Sequence, residues 1–170
     1  SWLLKDVGGE RIVMHGGATN GQMSSFVMVP AKNFALTVLT NADRGREAHA
    51  LISNWILEHL AGVSEPFPAI LPLSARQMEP YAGEYQAALN TLDLSVEGGY
   101  LVMMQRPAQS PLSAPGTLPP PPPPVRLGFH AEDRVISLDS PSHGSKGEFV
   151  TAPDGSLWFR WGGRIHRRMA

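Results

Sequence analysis

The sequence contains no cysteine among its 170 residues. A disulfide framework, a thiolate zinc site and a cysteine nucleophile are therefore excluded. No apolar run approaches the roughly 20 residues that a membrane-spanning helix needs. An excess of one charge is also lacking, since 14 basic and 15 acidic side chains leave a net charge of −1. The chain therefore has no electrostatic footprint for nucleic acid or for an anionic membrane surface.

The composition is that of a folded chain. Apolar residues make up 42% and charged residues 17% of the sequence, which is enough apolar material for a core. The length allows one domain or two small ones. The first residues, Ser1 to Lys5, read as part of a strand and lack an initiator Met, a basic start and a signal-peptide cleavage site. We therefore expect a fragment whose partner structure lies upstream.

Proline is unevenly distributed along the chain. Nine of the 16 prolines lie between Pro107 and Pro124, and the last six form an uninterrupted run from Pro119. Such a run adopts the polyproline II conformation and has no backbone donors, so it cannot lie inside a sheet. It is either a ligand for a proline-binding module or a long solvated loop. We interpret residues 107–124 as a loop.

Residues 1–62 predict a four-stranded antiparallel sheet with a single C-terminal helix. Strand patterns cover Trp2–Val7, Arg11–His15, Ser25–Val29 and Phe34–Leu39. The helix is expected to start at an Asp43 N-cap and to end at Gly62. Apolar residues at helical spacing predict the face that it lays on the sheet, namely Ala48, Leu51, Ile52, Trp55, Ile56 and Leu60. The opposite face of the sheet would be bare, so something else must cover it.

Residues 63–80 carry four prolines with little periodicity and are expected to be an interdomain linker. From residue 81 to 170, eight short strand patterns alternate with tight turns, which predicts a meander closed into a small barrel. The patterns lie near Gly83–Ala88, Leu92–Val96, Tyr100–Gln105, Val125–Phe129, Val135–Leu138, Gly147–Thr151, Leu157–Trp161 and Arg164–Arg168. The proline-rich loop falls between the third and fourth of them. The predicted fold class is therefore α+β, with an antiparallel sheet and one helix followed by an eight-stranded β-barrel.

The strongest local motif is His15-Gly16-Gly17, where glycines let a backbone approach a substrate closely. Alone, the motif is weak evidence for a site and is more typical of a structural turn. The string HGGATNGQMSSFVMVPAKNFALTVLTNADRG, which starts at His15, resembles the third active-site motif and the following strands of the serine β-lactamase-like family. That family includes class C β-lactamases, D-Ala-D-Ala carboxypeptidases, penicillin-binding proteins and esterases. Many members carry His-X-Gly there in place of Lys-Thr-Gly, and the likeness runs from Trp2 to about Gly62.

The resemblance implies the end of a transpeptidase or β-lactamase-like fold and particular roles at the motif. His15 would line the substrate cleft and orient or polarise the acyl group. The backbone N–H of Ala18 would be one of two oxyanion-hole donors. Gly16 and Gly17 would keep side chains away from an edge where a peptide-like substrate pairs as an extra strand. The resemblance also implies a bacterial, periplasmic or secreted enzyme that hydrolyses an amide, an ester or a β-lactam.

The family's nucleophile motif is missing. It lies in Ser-X-X-Lys, where the amine activates the hydroxyl, and none of the three lysines here has a serine three positions before it. No Tyr-X-Asn motif and no Gly-X-Ser-X-Gly elbow occurs either. We therefore expect the chain alone to be inactive, with the upstream catalytic part of the same protein as its partner.

No metal or cofactor is expected from the remaining polar residues. The six histidines are scattered, and His49 and His59 lie too far apart on the predicted helix to hold one ion as an i, i+4 pair does. We interpret the histidines other than His15 as structural residues. The C-terminal arginines are interpreted as a solvated barrel edge, with contact to an acidic neighbour as the alternative; they are Arg160, Arg164, Arg167 and Arg168.

The segment Tyr81-Ala82-Gly83-Glu84-Tyr85 resembles the start of small lipocalin-like accessory domains that follow β-lactamase-like catalytic domains. This likeness implies a barrel that shapes access to the cleft or mediates assembly, including homo-oligomers. The alternative is a non-catalytic lipocalin-like module that binds a small ligand or a protein. We expect Phe159 to face one side of its strand and Trp158 and Trp161 the other, as core residues.

Overall fold

The computed structural model describes residues 1–19, 21–42, 45–88, 90–108, 120–140 and 142–169. The chain divides into two compact units, Ser1–Phe67 and Pro68–Ala170. The first unit holds a four-stranded antiparallel sheet and one long helix, and the second holds a closed eight-stranded antiparallel barrel. The predicted α+β composition, with a sheet, few helices and a barrel, is confirmed. Within the described residues no helix is both long and apolar enough to cross a membrane.

The sheet of the first unit is a meander in which each strand pairs with the next. Its strands are β1 (Leu3–Val7), β2 (Glu10–Thr19), β3 (Gln22–Val29) and β4 (Phe34–Thr40). The turn between β1 and β2 needs positive φ angles, and Gly8 and Gly9 supply them at 58° and 85°. β4 is an edge strand, since among the described strands it pairs with β3 alone.

β2 continues four residues beyond the predicted end at His15. Glycine is a poor strand former, and for this reason the sequence pattern ends the strand too early. The strand persists because its last residues pair with β3, with Gly16 opposite Ser25 and Gly17 opposite Ser24. The two glycines therefore lie inside a strand and not in a turn.

The two faces of this sheet differ in what covers them. Side chains alternate along each strand, so that Leu3, Met14, Val27 and Leu36 share one row across the sheet and Leu4, Val13, Met28 and Ala35 share the next. We call the first face the helix face, because its buried residues cluster with those of the helix. The second is the open face.

The helix α1 (Gly45–Ala61) packs on the sheet through a different side from the predicted one. Its buried residues recur every four positions and are mostly small: Gly45, His49, Ser53, Leu57 and Ala61. A Cβ at Gly45 would collide with the side chain of Thr40, so glycine is what permits this close approach. Close packing of small residues therefore selected the buried side. The predicted face was wrong for its four large exposed residues, Leu51, Ile52, Trp55 and Leu60, whereas Ala48 and Ile56 are half-buried. The expected N-cap Asp43 lies outside the described residues.

Large apolar side chains remain exposed in the first unit. On the open face, Trp2 is 55% exposed, Leu4 is 61% exposed and Leu39 is 73% exposed. On the outer side of α1, the exposed set comprises Leu51, Ile52, Trp55 and Leu60. Several large apolar side chains of the first unit are therefore not covered by the described residues.

The barrel of the second unit has eight strands close to their predicted positions. They are β5 (Gly83–Ala87), β6 (Asn90–Glu97), β7 (Tyr100–Pro107), β8 (Val125–Ala131), β9 (Arg134–Ser137), β10 (Lys146–Thr151), β11 (Leu157–Trp161) and β12 (Arg164–Arg168). Neighbouring strands pair in sequence order, and β12 pairs with β5 to close the barrel. A short helix α2 (Ala75–Met78) precedes β5 and contributes the buried Met78 to the barrel core.

Aromatic rings fill much of the barrel interior. Phe149 stacks on Phe159 with a centroid distance of 4.4 Å, and Phe159 contacts Trp161 at 5.8 Å. Phe159 and Trp161 therefore share the inner face of β11, while Trp158 points to the other side, beneath the guanidinium of Arg167. The predicted grouping of the two tryptophans was wrong, because residues 159 and 161 have the same parity along the strand.

The Tyr-Ala-Gly-Glu-Tyr segment lies at the seam where β12 pairs with β5 and closes the barrel. Arg168 donates hydrogen bonds to the carbonyl oxygens of Pro80 at 3.0 Å and of Ala82 at 2.6 Å. Gly83 has φ of 141°, and a Cβ there would lie 2.9 Å from the Arg168 guanidinium. Glycine and arginine thus form one clamp at the seam.

Arg160, another of the C-terminal arginines, has an ion-pair partner within the barrel. Arg160 pairs with Glu148 on the neighbouring strand at 3.1 Å, and Glu148 lies 3.6 Å from Arg134 on its other side. Such a cross-strand row of alternating charges supports the pairing of strands. The acidic neighbour considered as the alternative for this arginine is therefore intramolecular.

Residues 63–80, expected to be a linker, are divided between the two units. Val63 is buried in the core of the first unit. Leu71 donates its backbone N–H to the carbonyl of Phe129 at 2.7 Å, and Ile70 packs over Gly128 of β8. Of the proline-rich loop, residues 109–119 lie outside the described residues, and residues 120–124 have no regular secondary structure.

His166 is a buried polar residue of the barrel interior, with 1% of its surface exposed. It lies opposite Phe159 in the register of β11 and β12, and its Nδ1 lies 3.2 Å from the Phe159 carbonyl. Its Nε2 lies 3.0 Å from the side-chain amide of Asn90 at the start of β6. Burial lowers the pKa of His166, and the nearby Arg164 guanidinium acts in the same direction.

We expect the barrel to lose stability as the pH falls from about 7 through the ordinary histidine pKa of about 6.5. In that range the unfolded state binds more protons than the folded state, which keeps His166 neutral, so the free energy of unfolding decreases. His166→Gln cannot take up this proton and should flatten the dependence. Urea unfolding at several pH values, followed through NMR signals of β11 and β12, measures it. His59→Gln is the matched control, and an unchanged slope in His166→Gln would contradict the assignment.

Candidate functional site

The candidate site is built on the second half of β2. His15 is exposed on the open face, and it is followed by two residues without side chains and then by Ala18 and Thr19. The register continues with β3 from Val13 to Thr19, so this segment is held in an extended conformation throughout. The result is a rigid stretch of bare backbone beside an imidazole.

One edge of this stretch has no strand partner among the described residues. β1 pairs with β2 only from Glu10 to Met14, because Leu3, its first residue, lies opposite Met14. From His15 to Thr19 the other edge of β2 is therefore open. In an antiparallel strand, alternate residues direct both their N–H and C=O groups to the same side. Some backbone donors and acceptors of this segment consequently point away from β3 and can receive an extended ligand.

The two glycines fit closely against β3. A Cβ added at Gly17 would lie 2.8 Å from the Oγ of Ser24, and one added at Gly16 would lie 3.2 Å from the backbone oxygen of the same residue. Neither glycine has a positive φ angle, so backbone strain is not the reason for glycine here. Glycine is required here because β2 and β3 approach each other closely. The two glycines also leave this stretch without side chains.

His15 lies beside the ring of Trp2 on the open face. The indole of Trp2 meets its imidazole edge to face, with a centroid distance of 6.1 Å and an interplanar angle of 83°. Phe26 is its register partner on β3 and lies 5.8 Å from the Trp2 ring. The register extended by one residue beyond Leu3 places Trp2 beside His15.

A cleft of about 420 Å³ adjoins the same stretch on the helix face. Its lining includes Gly16, Ala18 and, from the first two turns of α1, Arg46 and His49. His49 is buried, and its Nε2 lies 3.1 Å from the hydroxyl of Thr40. The glycine stretch is thus bounded by an open edge on one side and by a cleft with a guanidinium on the other.

The comparisons with known proteins concern the fold. No protein-family model matches the chain, and no curated protein matches it. The solved structure of SurE with D-Leu is similar over 99% of this chain and 38% of its own, with a TM-score of 0.57 and 20% identity. A second structure of SurE gives 0.55 and 20% over 99% of this chain and 36% of its own.

A third similar structure is the octameric penicillin-binding protein homologue from Pyrococcus abyssi, with a TM-score of 0.36 and 16% identity over 98% of this chain and 36% of that one. The likeness to SurE shows a shared fold. The chain spans less than two fifths of the length of these solved structures.

The structure places the three predicted site residues, His15, Gly17 and Ala18, on one strand. The serines Ser24 and Ser25 line the adjoining cleft. Within the described ranges, no group of three or more His, Asp or Glu side chains could hold a metal ion. His59 stacks on Trp55 with a ring-centroid distance of 4.4 Å, and both residues lie on the surface of α1.

Sequence reasoning missed Trp2, Ser24, Arg46 and His49 as neighbours of the site. Trp2 and Ser24 lie near the site only because of the register between neighbouring strands. The alternation of side chains along one strand does not determine that register. Arg46 and His49 approach it because α1 packs through its small residues. The one available signal was the alternation that places Trp2, Leu4 and His15 on the same face once the Gly8-Gly9 hairpin is assumed.

The contact between Gly17 and Ser24 can be measured by a double-mutant cycle. Gly17→Ala adds a Cβ that displaces the Ser24 hydroxyl, and Ser24→Ala removes that hydroxyl. We expect a coupling energy of at least about 0.5 kcal/mol in urea unfolding, with the double variant more stable than the sum of the single effects predicts. Gly16→Ala is the control, because its Cβ meets a backbone oxygen that Ser24→Ala leaves in place. Equal coupling for both glycines would contradict this packing.

Proposed function

We propose that this chain is the C-terminal part of a serine hydrolase of the β-lactamase and penicillin-binding-protein type. In this proposal residues 1–62 end the catalytic domain, residues 63–80 link it to an accessory domain, and residues 81–170 form that domain as a lipocalin-like barrel. The observation that carries the proposal is the second half of β2, where His15 precedes bare backbone with an open edge.

The open edge suits an acyl substrate bound as an extended strand. Backbone groups between His15 and Thr19 would pair with the substrate, and His15 would orient or polarise the acyl group. The serine oxygen, supplied from upstream, attacks the carbonyl carbon, and the N–H of Ala18 stabilises the oxyanion as one of two donors. Collapse expels the amine or alcohol, and water then hydrolyses the acyl-enzyme.

Two further observations support an upstream partner. The open face of the sheet carries exposed apolar side chains, including Trp2, Leu4 and Leu39, that another part of a protein would cover. The solved structures with the same fold have chains more than twice as long. Since Ser-X-X-Lys and Tyr-X-Asn are both absent from the sequence, we propose that the chain alone is inactive.

The proposal extends to substrate class and location. SurE was crystallised with D-Leu, and we propose a D-aminoacyl amide or ester as the substrate of the longer protein. The barrel would shape access to the cleft or mediate assembly into a homo-oligomer. We propose an extracytoplasmic location on the basis of the family resemblance alone.

The alternative is a non-catalytic binding module based on the barrel. Its lipocalin-like form requires an internal cavity for a small ligand. The barrel core is instead occupied by its own side chains, among them Tyr85, Phe149, Phe159 and Trp161, all buried. This packing favours the accessory role over a small-ligand site in the interior.

Covalent labelling tests the proposal. Intact-protein mass spectrometry follows incubation with a fluorophosphonate and, separately, with a penicillin, for this chain and for the complete product of its source gene. We expect an adduct on the complete product only, because the nucleophile lies upstream. An adduct on neither protein, or on this chain, would overturn the proposal.

The role of the glycine stretch is tested in the complete product. Gly17→Val places a branched side chain beside the open edge, and we expect acylation to slow by at least about tenfold, because small displacements of a bound substrate have effects of that size or larger. Ala35→Val is the matched control, since it adds a similar group at an exposed position of β4 on the same sheet face. Equal rates for Gly17→Val and Ala35→Val would show that substrate does not use the stretch.

A further inference from the structure

The contact of the Trp2 indole with the His15 imidazole is a feature of the open face that the proposed function does not use. The indole lies just before β1 and meets the His15 imidazole at 6.1 Å and 83°. Its other contact is with Phe26, at 5.8 Å and 49°. Trp2 is 55% exposed, so its packing serves no closed core in this chain. Its ring contacts are the two aromatic side chains beside the glycine stretch.

An exposed imidazole on a strand samples several rotamers. His15 has an aromatic residue as its register partner on β3 and a second aromatic ring on the β1 side. Edge-to-face contacts between rings are favourable, and the Trp2 ring, which also contacts Phe26, excludes the His15 rotamers that would occupy its place. The three rings together limit the directions in which the imidazole can point.

We propose that Trp2 is a positioning residue that holds the imidazole of His15 in one orientation beside the bare stretch of β2. The orientation itself follows from the packing of the rings. Its use in catalysis rests on the proposed function, in which His15 acts on the acyl group. Phe26 contacts the Trp2 ring and so supports its position.

The orientation is tested in this chain by NMR. The two Hα–Hβ couplings of His15 report its χ1 angle, since a single rotamer usually gives unequal couplings and averaging makes them converge. We expect averaged couplings in Trp2→Ala and parent-like couplings in Trp2→Phe, which keeps a ring. Leu39→Ala removes another exposed apolar side chain from the same sheet face and should leave them unchanged. Unaltered couplings in Trp2→Ala would overturn the proposal.

The catalytic use is tested in the complete gene product by acylation with the fluorophosphonate. We expect Trp2→Ala to lower the rate about tenfold and Trp2→Phe to retain most of it. In a His15→Ala background, Trp2→Ala should have no further effect, because it acts through the imidazole. An equal loss in both backgrounds would indicate a merely structural role and overturn the proposal. If no protein is acylated, the proposed function fails, while the couplings still decide the orientation.

Discussion

The pairing of β2 with β3 is the interaction on which the first unit depends. Seven register pairs, from Val13 with Met28 to Thr19 with Gln22, hold β2 extended through two glycines that have little tendency of their own to remain in a strand. This pairing places His15 on the open face and leaves the other edge without a strand partner among the described residues. The geometry of the site is thus a product of tertiary pairing more than of local sequence.

The two units are stabilised in different ways. The barrel closes on itself, buries a continuous set of aromatic and aliphatic side chains, and supports its seams with ion pairs and the Arg168 clamp. The sheet of the first unit buries one face under α1 and leaves apolar side chains exposed on the other. The barrel is thus closed on itself, whereas the sheet of the first unit is covered on one face only.

Turn chemistry and alternation predicted the positions of most strands well. Gly-Gly pairs need positive φ angles, so they marked hairpins without knowledge of the fold. Predictions from periodicity were wrong where packing between elements determines which side of an element is buried. Apolar spacing favoured the side of α1 that carries Trp55, yet the sheet received the side with Gly45 and Ser53, because small residues let the helix approach. The neighbours of His15 depend on strand register, which no single strand pattern contains.

The edge strand β4 has a consequence for handling this chain in solution. Its seven residues, Phe34 to Thr40, contain no charge, no proline and no glycine, and their β-branched and aromatic side chains suit extended structure. Uncharged segments of this length and composition form steric zippers when their backbone edge is free. Natural edge strands usually carry a lysine, a proline or a β-bulge, which hinders pairing with another strand. β4 has none of the three. We therefore expect the isolated chain to form fibrillar aggregates that nucleate at β4.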